Sequence, residues 1–312
     1  MIARFLRFVV AIELLAASAL ASWLHAVRDW DAALSIGIGI AAPLGVHAGI
    51  IAINFGLAWH AGTPTPPEHR LGPLRALATY LRELWDSFLV FQLALPWAAG
   101  RPLDGETATQ SSRIPVVLIH GYVCNRQIWR PFARWLAARG HAIDAVDLEP
   151  VFASIDSYAQ QIADAVARLR QRTGADRVAL VCHSMGGLAA RAYLRAYGAQ
   201  AVACVVTIGT PHGGTFHAGL GQGTNARQMR VDSEWLRTLA QGESADLRRR
   251  FTIVISHHDN IVAPQAIQRL PDARVLEYSG LGHLTLAFDH RVWHAVAEAL
   301  QKDPGWSTQS TS

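Results

Sequence analysis

Residues 33 to 59, ALSIGIGIAAPLGVHAGIIAINFGLAW, run for 27 positions without a formal charge. As a helix that stretch would be about 40 Å long against a hydrocarbon core of about 30 Å, so the sequence predicts a segment able to span a bilayer with tilt. Gly45 and Gly49 stand at the spacing that lets helices approach closely, but in so glycine-rich a run that spacing arises easily by chance. An earlier apolar stretch, residues 8 to 24, contains Glu13. An acidic group at mid-helix costs about 3 kcal/mol, and the eight Phe, Val, Ile and Leu residues of the stretch return roughly 2.4 to 4.8 kcal/mol. This second span is marginal alone and plausible beside a partner. A signal peptide is the rival reading, because Arg4 and Arg7 precede the run and Ala19-Leu20-Ala21 resembles a cleavage site; Glu13 within the apolar region argues against it.

Arginines at 4, 7, 70, 75 and 82 flank the pair of spans. They predict a hairpin with both ends cytoplasmic and the later part of the chain on the cytoplasmic side. Residues 87 to 99, SFLVFQLALPWAA, are too few to cross and are expected at the interface or packed on the following domain. The expected division is a membrane region over 1–60, a linker with an interfacial apolar segment over 61–112, a catalytic domain over 113–301 and a flexible tail over 302–312.

Charged residues make up 17% of the chain, below the usual share of about 25%. The net charge of +4 rests almost wholly on arginine, with Lys302 the only lysine, and no basic run is interleaved with aromatics. Nucleic-acid binding is therefore not expected. Cys124, Cys182 and Cys204 cannot all pair with one another, and the last two sit in apolar runs, so buried thiols are expected rather than a disulfide framework.

From residue 114 onward, β-branched runs alternate with helical periodicity. Strand candidates are 114–119, 142–148, 177–182, 202–208, 251–256 and 274–278; helices are expected over 126–139, from Ser154 or Asp156 onward, over 185–197 and over about 286–300. Residues 211–248 lack clean periodicity apart from a possible short helix around SEWLRTLA. This alternation predicts an α/β fold with a mostly parallel sheet covered by helices on both faces.

In such sheets the active groups collect beyond the carboxyl ends of strands. Within VALVCHSMGG, Ser184 lies in a strand–turn–helix pattern close to G-x-S-x-G, with Cys182 where the first glycine would stand. Asp259 follows one later strand candidate and His283 the next, giving the order serine, acid, histidine of an α/β-hydrolase. A serine hydroxyl needs a base to take its proton, and an imidazole oriented by a carboxylate is suited to that task. Ser184 is accordingly the expected nucleophile, His283 the base and Asp259 its orienting acid, in competition with Asp232 and Asp272. The backbone N–H groups of Tyr122 and Met185 are the expected oxyanion donors. His120 and His183 are read as supports. Neither His257-His258 nor His212 with His217 has metal-ligand spacing, so no metal and no cofactor are expected. Cys182, small and unbranched, is a tolerable substitute at a strand end where a larger residue would clash.

The motifs VVLIHGYVCN, CHSMGG, VTIGTPHGGT and SHHDNIVAPQAIQRLPDARVLEYSGLGHLTL together resemble bacterial triacylglycerol lipases and related esterases of the α/β-hydrolase superfamily, notably small secreted lipases without a large lid. The resemblance covers roughly residues 113 to 300. It implies Ser184, Asp259 and His283 as the triad, Tyr122 and Met185 as oxyanion donors, and a small residue other than glycine tolerated before the His-Ser pair. The membrane-spanning N-terminus departs from secreted lipases. The expected activity is hydrolysis of apolar acyl esters or lipids at a membrane, with residues 211–248 forming the acyl-pocket wall or a modest lid. A thioesterase or acyltransferase using the same serine, and a catalytically silent adaptor, are the alternatives.

Overall fold

The computed structural model describes residues 1–301; the tail expected to be flexible, 302–312, lies outside the described residues. Two long helices open the chain, α1 (Ile2–Ala26) and α2 (Ala32–Ala61), both long and apolar enough to cross a membrane. Asp31 caps α2 by accepting from the Leu34 N–H at 2.9 Å. The helices come close at Gly39, where an added Cβ would lie 2.7 Å from the Ala17 carbonyl oxygen and 3.0 Å from the Ala21 Cβ. Gly45 and Gly49 face open space, so the glycine spacing noted in the sequence does not make this contact. Glu13 is received by Gln92, whose Nε2 donates to Oε2 at 3.0 Å, which offsets the cost of an acid on this helix.

Both open ends of the hairpin lie against the later domain. Ile2 and Leu6 join its hydrophobic core, and beyond the end of α2 the Thr63 N–H donates to Gln265 Oε1 at 3.3 Å. The segment read as a linker contains a 16-residue helix, α3 (Pro73–Phe88), started by Pro73. It continues through a π-helical stretch, Leu89–Ala94, into the short α4 (Leu95–Trp97). Val90 and Leu95 are buried, and the Leu95 carbonyl accepts from Asn125 Nδ2 at 3.0 Å. Residues 87–99 thus pack on the domain through Val90 and Leu95, while Leu93 and Trp97 stay exposed.

Six strands form one wholly parallel sheet in the order β2-β1-β3-β4-β5-β6: β1 (Val116–Ile119), β2 (Ile143–Val146), β3 (Val178–His183), β4 (Val202–Ile208), β5 (Phe251–Ser256) and β6 (Arg274–Tyr278). The register sets Ile119 beside Cys182 and Cys182 beside Thr207. Side chains alternate across the sheet, as the strand period of two requires. Val116, Leu118 and Val181 enter one core with α5 (Arg130–Ala137), while Val117, Ile119, Leu180 and Cys182 enter the other with α6 (Ala159–Thr173) and α7 (Met185–Tyr197). The expected helix over 126–139 begins as a 3-10 turn, Arg126–Trp129, because the Asn125 side chain caps Gln127 and Pro131 sits at the start of α5.

Gly174, at φ 71°, ends α6, and Gly198, at φ 75°, ends α7. Residues 211–248 carry only short helices, α8 (Gly223–Gln228), α9 (Glu234–Gln241) and α10 (Ala245–Arg248). The expected last helix divides into α11 (Thr285–Phe288) and α12 (His290–Gln301), with Asp289 between them accepting from the Arg291 N–H at 2.9 Å.

The segment from 211 to 248 is fastened to α7 by a buried ion pair. Arg191 donates to Glu243 through Nε at 2.6 Å and Nη2 at 2.9 Å, and to the His212 carbonyl at 3.2 Å. Removing one member of such a pair leaves a buried charge without its partner. Arg191→Ala is expected to lower unfolding free energy by about 3–5 kcal/mol, measured by urea denaturation of the detergent-solubilised protein.

Candidate functional site

At the carboxyl end of β3 the chain turns sharply. Ser184 has φ 56° and ψ −130°, a region L-residues rarely occupy and one that costs about 1–3 kcal/mol to hold. Close packing holds it. A Cβ on Gly186 would fall 2.4 Å from the Ile119 carbonyl oxygen and 2.6 Å from that of His120, and one on Gly121 would fall 2.7 Å from the Ser184 Cβ. These glycines let α7 and the β1 loop close around the serine. Cys182 is fully buried within the sheet, and burial pushes its thiol pKa up, which keeps it protonated. The substituted position is thus a packed strand residue with no part in proton transfer.

Asp259 and His283 come together beyond β5 and β6. His283 Nδ1 lies 3.1 and 3.0 Å from the two carboxylate oxygens of Asp259. Asp259 Oδ1 also accepts from the backbone N–H groups of Ile261 at 2.9 Å and Val262 at 2.8 Å. The carboxylate therefore accepts a hydrogen bond from Nδ1–H, which keeps that proton on Nδ1 and leaves Nε2 as the basic nitrogen. Burial alone would lower the pKa of His283; the charge and hydrogen bond of Asp259, with Glu83 beyond, outweigh it and raise the pKa above the ordinary value. Asp232 and Asp272 instead pair with Arg237 and Arg248.

The supporting histidines have defined partners. His183 donates from Nε2 to the His283 carbonyl at 3.0 Å, and burial, with His283 nearby, brings its pKa down to about 3. His120 donates from Nδ1 to the Gly121 carbonyl at 2.8 Å and accepts the Leu148 N–H at Nε2, 3.0 Å away. Both are neutral struts. Tyr122 follows Gly121, and its hydroxyl donates to the Gln222 carbonyl at 2.8 Å and accepts the Gln222 N–H at 3.0 Å. The next residue, Val123, sits at φ 51°, unusual for a β-branched side chain. Met185 opens α7, where the first N–H groups have no partner within the helix.

Two residues outside the expected set complete the arrangement. Glu83, buried on α3, accepts from the N–H groups of Leu284 and Thr285, both at 2.9 Å, and from the Thr285 hydroxyl at 2.8 Å. Burial pushes its carboxyl pKa up against those bonds. Asn260 Oδ1 accepts the His283 N–H at 2.8 Å. The signal for Glu83 was available in the sequence. Thr79, Glu83 and Ser87 recur every four residues on one face of a segment whose opposite face carries Leu74, Leu77, Leu81 and Trp85.

Ser184 and His283 line one cavity of about 610 Å³, together with Gly121, Tyr122, Asn260 and Glu83. The rest of its wall is mostly apolar and comes from α1, α2 and residues 87–92, together with Val123, Cys124, Ile128, His183, Ile261 and Leu284 of the later domain; none of the residues 211–248 lines it. Those residues clamp the outside of the β1 loop through Gln222 and Tyr122. Among the described residues, His69, His257 and Glu277 have ligand atoms within 4.8 Å of one another, but Arg269 already binds Glu277 Oε2 at 2.7 Å. His258 points elsewhere and accepts the Gly280 N–H.

Residues 114–224 match the family model for the alpha/beta hydrolase fold. A triacylglycerol lipase of Pseudarthrobacter phenanthrenivorans is 34% identical over 114 residues, covering 34% of this chain and 35% of that protein. One from Burkholderia plantarii is also 34% identical over 114 residues, covering 34% of this chain and 31% of the relative. The chain thus spans about a third of the length of the curated relatives it matches. Among solved structures, the mature form of a Bacillus licheniformis lipase superposes with a TM-score of 0.55 at 18% identity, over 64% of this chain and 96% of that one. Aspergillus fumigatus lipase B gives 0.55 at 19%, over 65% and 55%. The sheet and its helices have the α/β-hydrolase fold, and the chain resembles lipases and esterases.

The raised His283 pKa depends in part on Glu83. In an NMR titration the His283 imidazole is expected to titrate above about 6.5, and Glu83→Gln, which removes a negative charge, is expected to move that midpoint down. An unchanged midpoint would detach Glu83 from the histidine.

Proposed function

We propose that this chain is a membrane-anchored serine hydrolase that cleaves carboxylic esters of apolar acyl groups through an acyl-enzyme. The observation that carries this reading is a serine held at a strained strand–helix turn on the same largely apolar cavity as a histidine bonded to a buried aspartate. The resemblance to triacylglycerol lipases supports the choice of ester chemistry.

Ser184 Oγ attacks the ester carbonyl while its proton passes to His283 Nε2. The positive imidazolium is stabilised by Asp259, and the negative oxygen of the tetrahedral intermediate is received by the N–H groups of Met185 and Tyr122. Each such donor contributes about 3 kcal/mol in comparable sites. Collapse of the intermediate breaks the acyl–oxygen bond, and His283 returns the proton to the departing alcohol. Water then repeats the sequence, with its proton taken by the same histidine, and releases the acid. His283 must be neutral to begin, so its raised pKa makes kcat/KM fall as pH drops through a midpoint above the ordinary histidine value.

The anchor belongs to the same reading. The outward face of α3 is apolar, with Leu74, Leu77, Leu81 and Trp85 exposed, while Thr79, Glu83 and Ser87 are buried. This reverses the usual arrangement of a helix on a water-soluble surface and suits an apolar surrounding. With α1 and α2 forming a hairpin whose open ends meet the catalytic half, the positive flanks favour a cytoplasmic domain at a bacterial inner membrane.

Hydrolysis of a chromogenic ester series from acetyl to palmitoyl is the test. The wild type is expected to turn over, and Ser184→Ala is expected to lose up to about a million-fold in kcat. Undiminished turnover in the variant would remove the serine mechanism, and a folded wild type that also fails to react with a fluorophosphonate would point to the silent adaptor. A reporter fused after Ser312 is expected to read cytoplasmic; a periplasmic signal would reverse the topology.

A further inference from the structure

The hairpin contributes more to the cavity than attachment requires. Phe5, Val9 and Val10 of α1 and His47, Ile50 and Ile51 of α2 line the same chamber as Ser184. A volume of about 610 Å³ is in the range of cavities that enclose a whole ligand, roughly 300–1,000 Å³. A second cavity, of about 410 Å³, lies between α1, α2 and the stretch from Phe88 to Trp97. The two share Val10, Glu13, His47 and Gln92 as a common wall. On its far side the second cavity is bordered by Leu14, Leu44, Leu93 and Trp97, all exposed apolar side chains. Beginning at that surface, the path runs from the zone where lipid tails would lie, past the shared wall, to the nucleophile.

We infer that α1, α2 and the π-helical stretch Leu89–Ala94 form an acyl channel, through which the acyl chain of a bilayer-resident lipid ester reaches Ser184 without leaving hydrocarbon. This rests on the hydrolase reading above and specifies its substrate as a membrane lipid. Side-chain chemistry along the path fits that occupant. The walls are chiefly Phe, Leu, Val and Ile, which favour an alkyl chain by about 0.8 kcal/mol for each methylene removed from water. At the junction Gln92 donates to Glu13, and His47 Nε2 is buried with no hydrogen-bond partner. A buried imidazole nitrogen without a partner is uncommon in a folded protein. A lipid's second ester or hydroxyl, passing this point while its scissile ester is at Ser184, supplies the missing bond. An anchor alone requires neither polar groups between its helices nor two cavities that adjoin through a common wall, one of them lined by Ser184.

The experiment uses the full chain in phosphatidylcholine vesicles with matched butyryl and palmitoyl fluorogenic esters. Val10→Trp places bulk in the wall common to both cavities, and the palmitoyl-to-butyryl turnover ratio is expected to fall at least tenfold from wild type. A ratio within twofold of wild type overturns the channel. Should Val10→Trp fail to fold, Ser184→Ala carrying the native channel is irradiated with a phosphatidylcholine bearing a diazirine on its acyl chain. Cross-links to Val9, Val10 or the buried Ile51 support the channel; cross-links confined to outward residues such as Phe8 and Leu15 overturn it. Loss of the hydrolase reading has a separate signature, because either Ser184→Ala would keep its turnover or the folded wild type would show none on both esters, whatever the cross-links show.

Discussion

Glu83 holds the two halves of this molecule in one arrangement. A carboxylate taken out of water is costly unless its lone pairs are filled, and here three donors from the segment just after His283 fill them. The helix that bears Glu83 turns Leu74, Leu77, Leu81 and Trp85 outward and buries its polar residues in a cradle inside. Moving α3 away would leave the Leu284 and Thr285 N–H groups and an acid all unpaired at once. The site therefore depends on the N-terminal segment for its electrostatics as well as its walls.

The serine turn depends on a second, steric constraint. Three strands and a helix meet where Gly186 approaches two backbone carbonyls and Gly121 approaches the serine itself. Glycine is required at those two points because the clashing atoms are backbone or the Cβ of Ser184. The position occupied by Cys182 is different. It packs between neighbouring strands, where a small side chain fits, and this is why the irregular motif still produces the sharp turn.

Much of this was legible in the sequence because it depends on local rules. Alternating β-branched runs predict the strands; Gly198 marks the end of α7 where a left-handed residue is needed; Ser184, Asp259 and His283 fall in the order and loops that their chemistry demands. The helix breaks at Asp289 and at Trp129 were not legible, since each depends on side-chain capping that periodicity does not register. The cavity wall was misplaced for a related reason. Residues 211–248 were the natural choice by proximity in sequence, but Gln222 and Glu243 bind them to the outside of the β1 loop and to α7. Glu83 does not stand out in the sequence because its segment is flanked by turn formers at both ends, although its polar residues recur at helical spacing. Glu13 and Gln92 are 79 positions apart, and only the fold brings them together.

The buried polar face of α3 also bears on how such a chain is handled and how it changes over time. The recognisable hydrolase motifs begin near Arg113, which makes that point tempting as a place to cut or to graft the fold onto another N-terminal segment. Such a cut removes the acid that receives Leu284 and Thr285 and opens one side of the chamber to water. The hydrolase half is consequently not an interchangeable module, and an insertion or deletion between residues 61 and 112 acts on the histidine loop as directly as one beside it.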